Sequence, residues 1–148
     1  MFKHILLPTD GSRLSDRAIQ RGIELAEAIG ARVTTVHVIP EFRLMADESF
    51  VLPTSADLKK QYDKAAKTRA EKMLHKVTDR AAEAGVKAAA VTVMGDVPYE
   101  GIIETAKKCK CDLIMMASHG RRGLSGLLLG SETSKVLTHS KIPVLVVR

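Results

Sequence analysis

The sequence predicts an α/β fold of the doubly wound type, a five-stranded parallel sheet with helices on both faces and strand order 3-2-1-4-5. Three observations lead there. Short apolar, often β-branched runs alternate with longer segments whose apolar residues recur at helical spacing, giving the order β-α-β-α-β-α-β-α-β. Most connections are short, so each helix packs on the sheet it leaves and re-enters. Right-handed crossovers then restrict the topology to doubly wound arrangements. The 148 residues suit a single domain spanning 1–148, with no internal repeat and no linker.

Phe2 to Leu7 is an apolar run ending at Pro8 and reads as the first strand. Ser12 caps a helix in which Leu14, Ala18, Gly22, Leu25, Ala26 and Ile29 share one face, and Gly30 stops it. Val33 to Ile39 is the second strand, closed by Pro40. Residues 41–55 show no clean period and read as a long loop, the place to look for partner specificity. A long helix over Ala56–Ala84 carries the stripe Leu58, Tyr62, Ala65, Ala66, Met73, Val77, Ala81 and Ala84, and Gly85 ends it. Val86 to Met94 is the third strand. Gly95-Asp96-Val97-Pro98 turns into a helix with Pro98 at its first position, facing Ile102, Ile103 and Ala106 to the core. Leu113 to Ala117 is the fourth strand, Ser131 to His139 the last helix, and Pro143 to Val147 the last strand.

Composition narrows the function classes. Apolar residues are 45% and charged residues 27%, an ordinary balance for a globular protein. No apolar run approaches the roughly 18 residues of a membrane span, and the start is too short for a signal peptide, so a cytoplasmic location is expected. The formal charge of +6 is spread along the chain and interleaved with acids. Only Lys107-Lys108-Cys109-Lys110 and Arg121-Arg122 cluster, without aromatic residues for stacking, which argues against nucleic acid as the main partner. Cys109 and Cys111 read as small apolar fillers at a helix end, or as half of a metal site shared across a dimer. The methionines, Met115 and Met116 among them, read as core fillers.

The chemistry concentrates after the fourth strand. Ala117-Ser118-His119-Gly120, nine further residues and Gly130-Ser131 lie between a buried strand and a helix. A small-residue loop there brings backbone N–H groups close to an anion, and the helix N-terminus adds partial positive charge. No G-x-x-x-x-G-K-[ST] and no G-x-G-x-x-G occurs. In an open parallel sheet, ligands sit beyond the strand carboxyl ends where strand order reverses. If strands one and four meet at that point, the loop Pro8-Thr9-Asp10-Gly11 faces the glycine loop. Asp10 then reads either as a carboxylate for ribose hydroxyls or a phosphate-bound Mg²⁺, or as a turn residue capping the first helix. Gly130 can take a positive φ and admit a phosphate to the backbone. Ser131 reads as a helix cap or a phosphate ligand. Ala117 costs about 1–2 kcal/mol if its position needs a left-handed backbone, and little if it needs only a small side chain. His119 reads as a phosphate donor or a loop tie, and Arg121 and Arg122 as phosphate counter-charges or solvated residues. His37 and His119 have no evident nucleophile or acid beside them for catalysis.

These features resemble the universal stress protein family over the whole chain. The resemblance rests on Pro8-Thr9-Asp10 after an apolar strand, His37-Val38, Gly95-x-x-Pro98, the loop G-x-x-G-x9-G-[ST] and the terminal Pro-Val-Leu-Val-Val strand. Ala117 stands where the first loop glycine is usual, while Gly120, Gly130 and Ser131 keep the spacing. The resemblance implies an ATP site, with Mg²⁺, drawn from Pro8, Thr9, Asp10, Val38, Met116, Ala117, Ser118, His119, Gly120, Arg121, Gly130, Ser131 and Glu132. In it Thr9 and Asp10 lie near ribose and adenine, Val38 holds the adenine, Met116 and Ala117 line the pocket, and Gly120, Gly130 and Ser131 meet ribose and phosphates. It implies a homodimer through Pro143–Arg148 and a stress-response regulator. The chain lacks the base, carboxylate pair and arginine finger of fast phosphoryl transfer, so ATP hydrolysis is expected to be slow at most. The alternative reading is a nucleotide-free homodimeric interaction module of the same fold, with unidentified protein partners.

Overall fold

The computed structural model describes residues 1–42, 55–120 and 129–148. The chain runs β1 (His4–Pro8), α1 (Arg13–Ile29), β2 (Arg32–Ile39), α2 (Ser55–Glu83), β3 (Ala88–Met94), α3 (Pro98–Lys108), β4 (Leu113–Ala117), α4 (Ser131–His139) and β5 (Val144–Val147). All five strands are parallel, in the order β3-β2-β1-β4-β5, so the expected topology is the one the chain adopts. The long loop expected at 41–55 falls mostly outside the described residues.

The sheet separates two apolar layers. Ile5, Leu7, Val33 and Met115 pack with Ile19, Ile23 and Ala26 of α1 and Val77 and Ala81 of α2. Leu6, Val36, Ile114 and Met116 pack on the other face with Ile102, Ile103 and Ala106 of α3 and Val136 of α4. Alternation along each strand feeds both layers, because successive side chains leave opposite faces. The central strands β1 and β4 are buried at every residue.

Local signals place the helix ends. The Ser12 hydroxyl accepts from Ser15 N at 3.1 Å, and Gly30 closes α1 in a left-handed conformation, φ 66°, which only glycine adopts at little cost. Pro98 opens α3 as expected. The N-terminal edge of the sheet is tied by a residue that sequence reading passed over. Asp112 accepts the backbone N–H groups of Lys3 and His4, both at 2.9 Å, so β1 begins at His4, not Phe2. Val86 is buried ahead of β3 and outside it.

The α2 stripe needs correction. Leu58 is 40% exposed and Ala65 is exposed, whereas Ala70 and Leu74, absent from the predicted stripe, are buried. The buried contact of α2 starts near Ala70; in its earlier turns Tyr62 meets the Phe42 ring, centroids 5.0 Å apart, while Leu58 and Ala65 stay exposed. Cys111 is a buried filler whose thiol burial pushes up to about 12, and Cys109 is half-buried beside the second apolar layer.

Candidate functional site at the carboxyl ends of β1 and β4

Pro8 opens the crevice. The bonds Arg32 N to Lys3 O and Thr9 N to Val36 O show that odd-numbered residues of β1 bond to β2, and Asp112 N to His4 O shows that even-numbered ones face β4. Residue 8 therefore faces β4, and as proline it has no N–H to offer. Pairing between β1 and β4 runs only through Ile5↔Leu113 and Leu6↔Ile114. The two strands part at Pro8, at the point where strand order reverses, and leave a gap at their carboxyl ends.

Two loops flank the gap. On the β1 side, Thr9 is buried and its side chain is committed to α1, with Oγ1 3.0 Å from Ser15 Oγ and accepting from Gly11 N at 3.1 Å. Asp10 Oδ1 accepts from Ser12 N at 2.9 Å, which holds the carboxylate at the start of α1. His37 Nδ1 lies 2.8 Å from Thr9 O; with the carbonyl as acceptor, the neutral ring carries its proton on Nδ1. On the β4 side, Gly120 meets Asp10, since a Cβ added to Gly120 would stand 2.6 Å from Asp10 Oδ2. The loops after strands one and four thus face each other.

The start of α4 is fixed by three long-range ties. Gly130 N donates to Ser118 O at 2.8 Å. Thr133 Oγ1 donates to Ala117 O at 2.9 Å. Glu132 Oε2 accepts the Tyr99 N–H of α3 at 2.9 Å, while Oε1 is 3.0 Å from Lys135 Nζ. The Glu132 carboxylate thereby turns toward α3. Its capping of α3 and the Thr133 tie are roles that no spacing in the sequence announces.

Two expectations about this turn change. Gly130 has φ −68° and is itself the N-cap, so Ser131 is the first helical residue and not the cap. A positive φ is not what this glycine supplies. It supplies space, because a Cβ there would lie 3.2 Å from both His119 Cα and Ser118 O. Its N–H is already spent on Ser118. The first intrahelical bond is Ser134 N to Gly130 O, 2.9 Å, which leaves the N–H groups of Ser131, Glu132 and Thr133 without an intrahelical acceptor. Ala117 is an ordinary strand residue, since Lys110 is the positive-φ non-glycine residue among those described; its Cβ carries no left-handed strain.

The remaining predicted residues divide. Ser118 is buried and its Oγ is 3.0 Å from His119 Nδ1, while His119 Nε2 is buried without a partner. Met116 is buried in the α3/α4 layer. Val38 packs on the same layer, and a Cβ on Gly101 of α3 would stand 2.9 Å from Val38 Cγ2. Its side chain thus faces α3, and its backbone lies nearer the strand end. Arg121 and Arg122 lie outside the described residues. Two cavities among the described residues lie elsewhere, one of about 570 Å³ lined by Pro40, Glu41, Phe42, Tyr62 and Asp96 and one of about 530 Å³ between α2 and β3.

A family model described as the universal stress protein family matches residues 1–148. Universal stress protein MJ0531 of Methanocaldococcus jannaschii is 35% identical over all of this chain and 83% of its own length. Among solved structures, the hypothetical protein MJ0577, from the same archaeon, superposes with a TM-score of 0.83 at 27% identity, covering 99% of this chain and 96% of that one. A universal stress protein solved in complex with cAMP superposes at 0.70 with 29% identity, covering 99% and 97%.

Proposed function

The chain belongs to the universal stress protein family, and we propose that it binds ATP, with Mg²⁺, in the crevice between β1 and β4 and acts as a homodimeric, cytoplasmic stress-response regulator. The observation that carries this reading is the meeting of Asp10, Gly120 and the start of α4 at the parting of the two strands. The residues fit an adenine nucleotide. The unshared N–H groups of Ser131, Glu132 and Thr133 suit phosphate oxygens, helped by the helix dipole. Gly130 lets the start of α4 lie against Ser118 and His119, and the Glu132 carboxylate is drawn aside by Tyr99 N and Lys135. Asp10, anchored by Ser12 N, suits a ribose hydroxyl or a phosphate-bound metal.

The neighbour bound to cAMP favours a second reading, in which the adenosine portion is recognised and a single phosphate suffices. The nucleotide-free module keeps less support, because Ala117, the departure from the usual loop glycine that favours it, is an ordinary strand residue without left-handed strain. Thermal shifts with ATP, AMP, cAMP and adenosine separate these readings. A ligand held only by the folded state adds about 2.7 kcal/mol at one hundred times its Kd. ATP with Mg²⁺ is expected to raise Tm by several degrees and more than AMP does. Equal shifts for ATP and adenosine would remove the phosphate from the account, and no shift with any of them would leave the interaction module.

A further inference from the structure

We propose that the outer edge of β3, with the lysine row on the adjoining face of α2, is a docking site for an extended acidic segment of a partner protein. The proposal is independent of the nucleotide reading and stands at the opposite edge of the sheet from β5.

The backbone supplies the first argument. Lys87 O accepts from Val33 N at 2.8 Å and Gly95 N donates to Ile39 O at 2.9 Å. Bonding alternates along a parallel strand, so the odd-numbered residues of β3 pair with β2. Ala88, Ala90, Thr92 and Met94 turn their N–H and C=O groups outward, where no described strand pairs with them. The strand, Ala-Ala-Ala-Val-Thr-Val-Met, has no charge and no proline. Edge strands usually carry such residues to refuse another chain, and this one accepts it.

Shape supplies the second. A groove of about 530 Å³ runs beside that edge, lined by Glu71, Lys72, Leu74 and His75 of α2 and by Ala90 and Thr92. The outward-bonding residues Ala90 and Thr92 are the ones that line it, so a strand added to the edge would lay alternate side chains into the groove.

Charge selects the occupant. Lys60, Lys64 and Lys67 continue the helical stripe of Glu71 and His75 at spacings of three and four, and all three lysines are exposed. They lie toward the start of α2, past Met94, at the end of the sheet where Tyr62 shares a cavity with Asp96. Lys72 and Lys87 are exposed along the groove and the strand start. Against these stand Glu71, whose Oε1 is 3.9 Å from Lys67 Nζ, and Glu41 and Asp96, which line the cavity past Met94 and of which Asp96 Oδ1 accepts from Glu41 N at 3.0 Å. A segment that pairs with the edge and runs on along the α2 stripe meets the exposed Lys60, Lys64 and Lys67, so its continuing end is acidic.

The test uses the full-length, isotopically labelled protein and two peptides, Glu-Glu-Glu-Thr-Val-Thr-Val-Thr-Val and its reverse order, one for each strand direction, with lysine replacing glutamate in the controls. One acidic peptide is expected to saturate, shifting the amide resonances of Ala88, Ala90, Thr92 and Met94, and the lysine controls to bind roughly tenfold more weakly or not at all. Thr92→Pro removes an outward N–H without touching the β2 ladder and is expected to abolish binding. Reversing Lys60, Lys64 and Lys67 to Glu is expected to weaken it by roughly tenfold. Those exposed positions keep the test decisive should the proline variant not fold. The proposal is overturned if neither acidic peptide saturates, if lysine peptides bind equally, if a folded Thr92→Pro variant or the charge reversal binds as wild type does, or if a folded Thr92→Pro variant has a lower mass by light scattering than wild type, which would mean that copies of this chain already pair through β3.

Discussion

A Cβ on Gly22 would collide with Leu7 Cδ2, and Leu7 is fully buried in β1. Glycine in mid-helix costs up to about 1 kcal/mol against alanine, so this residue sacrifices helix stability to let α1 approach the sheet. Gly22→Ala regains that amount and loses about 1–3 kcal/mol to overpacking. The net expectation is a loss near 1 kcal/mol, a fall in Tm of roughly 3 °C, where an uncrowded helix position would show a rise. His4 makes a second residue-scale prediction. It is buried, with Nε2 2.8 Å from Thr34 Oγ1. Burial, with Arg32 adding, holds its pKa below the usual histidine value, although Asp112 pulls the other way. The folded chain therefore refuses a proton that the unfolded chain takes up below about pH 6.5. This contribution to stability is present above that value and lost as pH falls toward the folded pKa. His4→Gln can keep the bond to Thr34, and is expected to flatten the fall in denaturant midpoint between pH 7 and 5; an unchanged slope would clear His4 of the effect.

At the scale of elements, β5 is the other edge of the sheet, with no further strand paired to it among the described residues. Pro143 O accepts from Ile114 N and Val147 O from Ser118 N, so Val144 and Val146 bond outward, and Leu145 is 38% exposed. Paired antiparallel across a two-fold axis, this strand would close a dimer. Light scattering at micromolar concentration is expected to give twice the 16.1 kDa chain mass, and Val146→Pro, which removes an outward N–H, to give the monomer. A monomeric wild type would count against the interface. What the sequence disclosed differs from element to element for a physical reason. Ser12, Gly30 and Pro98 act within a few residues of themselves, and α1 and α3 begin or end where those residues dictate. The stripe of α2 misleads because periodicity cannot tell which turns of a helix are buried. In the site, the spacing of Gly120, Gly130 and Ser131 located the loop, but the partners Tyr99, Thr133 and Ser118 depend on contacts across the fold. The use of Gly130 for space, not for a positive φ, follows from His119 lying over it, which no local pattern encodes.

On the scale of the whole molecule, the two apolar layers hold the sheet rigid from both faces and leave its carboxyl end to the loops. The parting of β1 and β4 at Pro8, the facing of Asp10 and Gly120, and the pinned start of α4 are consequences of strand order as much as of the residues themselves. The central claim is that this junction holds a nucleotide phosphate. Gly130→Val tests it most directly, because the added side chain enters the space between His119 Cα and Ser118 O while the core strands are untouched. Isothermal titration of wild type and variant with ATP and Mg²⁺, with circular dichroism to confirm the fold, is expected to show saturable binding by wild type and its loss in a folded Gly130→Val protein. Equal binding by both proteins would contradict the account.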